Sequence, residues 1–213
     1  KQSGKRPPQR EVVSQLLRLP AVQTLLLMSV GIFLFNHGLN NWLPEVLRDK
    51  GMSPAAAGYW ATLPTIVGVL GSLTIPRLAT PRRRHLMLAG LCASALAASV
   101  LLRVDDGPLL FLGLAMQGIA RSSMMTVAML TLVETPGIGE RHAATASGMF
   151  FSAAEIGGAS GPVVMGLIHD ASGGFGAPLG FLTAIASILV LASLRLRFMA
   201  KAEQSRIALG SER

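Results

Sequence analysis

Residues 55–84 read AAAGYWATLPTIVGVLGSLTIPRLATPRRR, an uncharged apolar run closed by Arg77, Arg82, Arg83 and Arg84. A helix rises 1.5 Å per residue, so roughly 20 apolar residues cross the ~30 Å hydrocarbon layer of a bilayer. The run 55–76 meets that length, and a basic loop directly after it holds one side of such a span in place. It reads as a transmembrane helix, and it sets the pattern for the rest of the chain.

Outward from it, apolar blocks recur at 21–42, 86–102, 109–133, 143–168 and 173–194. The block 86–102 is the shortest; 109–133 carries one charge, Arg121, and 143–168 carries one, Glu155. Connections are short and hold turn chemistry: Gly51-Met52-Ser53-Pro54, Asp105-Asp106-Gly107-Pro108, Thr135-Pro136-Gly137 and Ser172-Gly173-Gly174. Of the residues 51% are hydrophobic and 14% charged, with mean hydropathy +0.51, which is too apolar for an average soluble domain. The expected fold is an all-α membrane protein of six transmembrane helices. Residues 1–20 form a basic N-terminal linker segment, 21–194 the six-helix domain, and 195–213 a basic tail.

A net charge of +8 raises nucleic acid as a partner. The basic residues sit at the ends of apolar blocks, however, not along one face with interleaved aromatics, so they set topology and no nucleic acid is expected. On one side of the alternating spans fall Lys1, Lys5, Arg6, Arg10, Arg18, Arg77, Arg82, Arg83, Arg84, Arg141, Arg195, Arg197, Lys201, Arg206 and Arg213. The other side holds Arg48, Lys50 and Arg103. Positive loops stay inside, so both termini are expected in the cytoplasm. No cleavable secretory signal is visible in the polar, basic start, and the missing initiator Met points to a fragment or a processed chain.

Cys92 is the single cysteine, so no intrachain disulfide or multi-cysteine metal site can form. No hydrolase elbow, phosphate-cradling glycine loop or metal cluster is present, and His169-Asp170 is too little for a metal; neither an enzyme nor a cofactor is expected.

A charge at the bilayer centre costs roughly 2.5–3.5 kcal/mol on insertion scales and faces a bundle interior or a watery cavity. Arg121 and Glu155 each lie about 18 Å from the same-side end of their helices, at similar depth near the midplane. The functional reading makes Arg121 the group that grips a planar anion, with Gln117, Met124 and Met125 on its face. The bland reading is a structural Arg121–Glu155 ion pair. Glu155 is also a carboxyl able to take up and release a proton, which leaves H+ or Na+ open as a coupling ion. Asn36, His37, Asn40 and Asn41 form a polar stripe at one-turn spacing around Gly38, read as cavity lining against interhelical hydrogen bonding. Tyr59, Thr62 and Thr65 recur every three residues beside Trp60, either in the same cavity or as interfacial anchors. Gly157 and Gly161 have the spacing for close helix packing, and Pro162 for a hinge.

Three stretches carry a resemblance. Pro76-Arg77-Leu78-Ala79-Thr80-Pro81-Arg82-Arg83-Arg84 resembles the Gly/Asp/Arg-rich cytoplasmic loop motif of the major facilitator superfamily in its C-terminal copy, departing at Thr80, where an acidic residue is usual. Glu155-Ile156-Gly157-Gly158-Ala159-Ser160-Gly161-Pro162, with Gly166, His169 and Asp170 beyond, is similar to the Gly-Gly-x-x-Gly-Pro stretch of that family's eleventh helix. Trp42-Leu43-Pro44, with Arg48 to Ser53 and Ala57-Gly58, is similar to the outer connection after the seventh helix of cyanate- and nitrate-type porters. The resemblance implies the C-terminal six-helix half of a secondary transporter, in a bacterial inner membrane, moving a small-molecule substrate by alternating access between this half and an N-terminal half absent from the chain. A half-size subunit that dimerises, an exporter of amphipathic compounds, and a membrane sensor or assembly subunit that transports nothing are the alternatives.

Overall fold

Eight helices account for the regular structure of residues 8–104 and 107–210, which a computed structural model describes, apart from the side chains of 140–141 and 203–210. Lys1, Lys5, Arg6, Asp105, Asp106 and Arg213, and the side chains of Arg141 and Arg206, lie outside the described residues. No strand occurs among those described.

Inside the expected linker, α1 (Gln9–Leu17) is a short amphipathic helix that buries Val12 and Leu16. Pro20 then opens α2 (Pro20–Asp49), where a fixed φ and a missing N–H cost nothing. This helix passes Trp42 and Pro44 and continues to Asp49, so the first part of the stretch likened to an outer connection is helical, and the non-helical connection is confined to residues 50–53. Pro44 removes one hydrogen bond, and Arg48 bonds to Glu45 at 2.9 Å across one turn just beyond it.

The second apolar block is divided. Ser53 caps α3 (Pro54–Trp60) by accepting from the Ala56 amide, and α4 (Leu63–Leu78) begins after two intervening residues. Pro64 explains the break: it has no N–H for the Trp60 carbonyl, and its ring crowds that group. Next, α5 (Arg84–Leu101) and α6 (Pro108–Val133) form an antiparallel pair. The longest elements follow: α7 (Gly139–Ser172), stopped by Gly173 in the left-handed conformation at φ 73°, and α8 (Gly176–Gly210), which carries the expected tail onward as helix.

Among the described residues five segments are long and apolar enough to cross a membrane: α2, α3 with α4, α5, α7 from His142, and α8 to Ala202. The 26-residue α6 is as long but is interrupted by Gln117, Arg121, Ser122 and Ser123. It packs between α4 and α5; α5 packs in turn on α8, α8 on α2, and α2 along most of α7. Phe35, Phe150, Met28, Ile32 and Leu39 are fully buried in the resulting core.

Candidate functional site

The α4–α6 contact positions Arg121. A Cβ added to Gly118 would lie 2.5 Å from the Pro64 carbonyl oxygen, so the two backbones touch where α6 has no side chain. Ser123 Oγ donates to the Gly71 carbonyl at 3.2 Å, a second tie between the helices. Between these ties opens a cleft of about 300 Å³ lined by Pro64, Thr65, Gly68, Val69, Ser72, Arg121 and Ser122. Arg121 Nη1 donates to Thr65 Oγ1 at 3.2 Å. No ion pair joins Arg121 to Glu155 among the described residues, so the structural pair considered from the sequence does not form.

The other expected groups divide. Gln117, one turn from Arg121, is 1% exposed, does not line the cleft, and leaves both amide atoms without a hydrogen-bond partner. Thr62, in the break between α3 and α4, donates to the Tyr59 carbonyl of α3, and Tyr59 is 70% exposed with its ring edge-on to Trp60. Of the three-residue series, Thr65 is the member that reaches Arg121. Met124 is fully buried, with its sulfur 3.7 Å from that of Cys92.

On α2 the polar stripe faces two ways. Asn36 is buried with its Oδ1 unpartnered, while His37, Asn40 and Asn41 are exposed. The His37 ring stacks on Phe33 at 5.0 Å, and its carbonyl accepts from Asn41 Nδ2 at 2.8 Å. Glu155 lies across from it on α7: His37 Cδ2 and Glu155 Oε2 come within 3.8 and 3.7 Å of the point a Cβ on Gly158 would occupy. Glu155 therefore neighbours His37, on an exposed face.

Glycine makes that neighbourhood possible. A Cβ on Gly157 would overlap the carbonyl oxygen of Val30, and one on Gly161 would fall 2.5 Å from that of Leu34, so α2 and α7 run backbone against backbone. Two turns beyond Leu34, Trp42 Nε1 donates to the Pro162 carbonyl at 2.9 Å. The ring of Trp42 stacks on His169 and tilts onto Phe175, joining α2, α7 and the start of α8.

At the arginine-rich end, Arg77, Arg82 and Arg83 are exposed. Arg84 is 4% exposed; it forms an ion pair with Glu134 through Nη2 and donates from Nη1 to the Leu130 carbonyl at 3.1 Å. Sequence reasoning missed Glu134, although an acid directly after an apolar block, on the side that holds the arginine loop, is the signal that could have found it. It also missed Ser122 and Ser123, which look like neutral helix residues until the α4 contact is known. Among the described residues no group of three or more His, Cys, Asp or Glu could hold a metal ion.

The family model described as Major Facilitator Superfamily matches residues 25–212. Over 186 residues the chain is 27% identical to an uncharacterized transporter, YycB, of Bacillus subtilis (strain 168), covering 84% of this chain and 45% of that protein. Over 188 residues it is 29% identical to a quinolone resistance transporter of Acinetobacter baumannii, covering 87% of this chain and 42% of that protein. The chain spans less than half the length of both curated relatives.

Proposed function

Because this chain belongs to the Major Facilitator Superfamily, we propose that it is the C-terminal six-helix half of a secondary active transporter that moves a small anion by alternating access. In this reading α6 is the sixth span, the arginine-rich end faces the cytoplasm, and the protein resides in a bacterial inner membrane. An N-terminal half completes the solute path.

One observation carries the proposal. Arg121 lines a cleft with, among the described residues, a single threonine hydroxyl as its partner, while His37, Asn40, Asn41 and Glu155 are exposed on α2 and α7. Lipid penalises such groups near the midplane, so these faces suit a watery path and a partner half. A guanidinium with no carboxylate beside it in a mostly apolar cleft is suited to a substrate that brings its own negative charge. Asn36 and Gln117, with unpartnered amide atoms, are the groups a shift of α2 or α6 would make available to solute. Glu155 beside His37 is the proposed place for a coupling ion, H+ or Na+, and Arg77, Arg82, Arg83 and Arg84 are the loop that changes contacts as the halves rock.

The test is uptake of labelled small anions into proteoliposomes by the full-length protein with Arg121 intact, Arg121→Ala or Arg121→Lys. Loss in both variants, with insertion and folding kept, supports a planar-anion ligand. Uptake surviving both removes the anion reading. The second reading is export of amphipathic compounds, favoured by the apolar walls of the cleft and by similarity to a relative named for quinolone resistance. Efflux of such compounds that persists in Arg121→Ala selects it.

A further inference from the structure

Gln117 is the polar group of α6 that the cleft leaves out. It is 1% exposed, and among the described residues neither its Oε1 nor its Nε2 has a hydrogen-bond partner. A buried amide in that state carries the full penalty of its desolvation, so an arrangement that gives it a partner is favoured whenever α6 can reach one. Helix geometry limits the choice. The residues one turn away on α6 are Gly113, Leu114, Ala120 and Arg121, and of these only Arg121 carries a polar side chain. Arg121 is itself lightly held: Nη1 donates to Thr65 Oγ1 at 3.2 Å, the long end of the normal range, and no carboxylate pairs with it among the described residues. The amide oxygen accepts and the guanidinium donates, and the acceptor stands N-terminal to the cation at i,i+4, the order that favours such pairs. Gly118 lies between the two, where α6 touches the Pro64 carbonyl of α4, so a rotation of α6 about that contact carries both side chains together.

We propose that Gln117 is a positioning residue that sets whether Arg121 is offered to the cleft, an inference that rests on Arg121 as the solute's ligand. In the arrangement described above Arg121 reaches α4 and lines the cleft, while Gln117 is buried outside it. In the alternate arrangement Gln117 Oε1 accepts from the guanidinium and draws it back along α6, and the solute's negative group loses its donor. A neutral amide competes with the solute and then releases the arginine. A carboxylate at the same place would keep it in a charge-assisted pair.

Full-length protein in detergent is treated with phenylglyoxal, which adds to accessible guanidinium groups, and the rate of modification at Arg121 is read by peptide mass. Gln117→Glu is expected to slow that rate about tenfold or more, the range of a charge-assisted hydrogen bond, and Gln117→Met, of similar volume and with no such acceptor, to match or exceed the native rate. In proteoliposomes, with labelled acetate, succinate or benzoate as solute, Gln117→Glu should raise the apparent substrate constant by a similar factor. Gln117→Met should leave that constant unchanged or lower and reduce the maximal rate, because the solute is no longer displaced. A side chain that only filled space would move neither the reactivity of Arg121 nor this split. Should Gln117→Glu fail to fold, Gln117→Met decides, and a native maximal rate there overturns the role. Reactivity of Arg121 that is unchanged in Gln117→Glu also overturns it, and leaves Arg121 as the ligand where Arg121→Ala abolishes uptake. Reactivity that responds to Gln117 while uptake survives Arg121→Ala keeps the pair and removes the anion from it.

Discussion

Arg121 sits one turn beyond Gly118, so the backbone contact with Pro64 sets where its guanidinium enters the cleft. Replacing it with lysine keeps the charge and removes the planar fork. A charge-assisted hydrogen bond of about 1.5–3 kcal/mol corresponds to on the order of 10- to 100-fold in affinity, so Arg121→Lys should raise the apparent substrate constant by that factor in proteoliposome uptake. An unchanged constant would place the solute elsewhere. Arg84 is a different case, since its partner Glu134 stays half exposed while Arg84 itself is buried. Arg84→Gln should lower stability by about 1–3 kcal/mol in denaturant unfolding, and the double variant Arg84→Gln with Glu134→Gln should recover part of it, because the orphaned carboxylate is gone. Both arginines were legible in the sequence as charges. Their partners, Thr65 and Glu134, were not, because they lie 56 and 50 residues away along the chain.

At the scale of elements, the seam between α2 and α7 joins helices more than a hundred residues apart. Gly161→Val would place side-chain atoms against Leu34 O, and Gly157→Val against Val30 O. Each should cost about 3 kcal/mol by overpacking or force the helices apart, seen as a lower midpoint in detergent and lost transport. Variants at Gly90, where nothing lies within 4 Å of an added Cβ, should be near neutral. Trp42→Phe keeps a ring beside His169 and Phe175 but removes the donor to Pro162 O, which should cost about 0.5–1.5 kcal/mol in the same unfolding measurement. The small-residue spacing of Gly157 and Gly161 could be read in advance, since any close packing of helices demands it. The break between α3 and α4 was equally available from Pro64 but was outweighed by the apolar length of 55–76.

For the whole molecule, topology follows from alternation. Cys92 is the one cysteine and is buried, so a Cys92→Ser background leaves room for single reporters. Arg77→Cys and Arg195→Cys should then be labelled from one side of the membrane by an impermeant thiol reagent, and Arg48→Cys and Arg103→Cys from the other. Labelling of Arg103→Cys and Arg195→Cys from the same side would mean that the segment between them does not cross as three spans. Charge-free apolar length, positive ends and turn residues are local properties, and the bilayer acts on each segment separately; for that reason the sequence by itself determined an all-helical membrane protein and the approximate limits of its helices. Whether Arg121 meets Glu155 or Thr65, whether Asn36 turns inward while His37 turns out, and which arginine of the loop is buried depend on how helices far apart in the chain lie against one another. That is set by backbone approach at a few glycines and by the packing of whole faces, which only the tertiary structure decided.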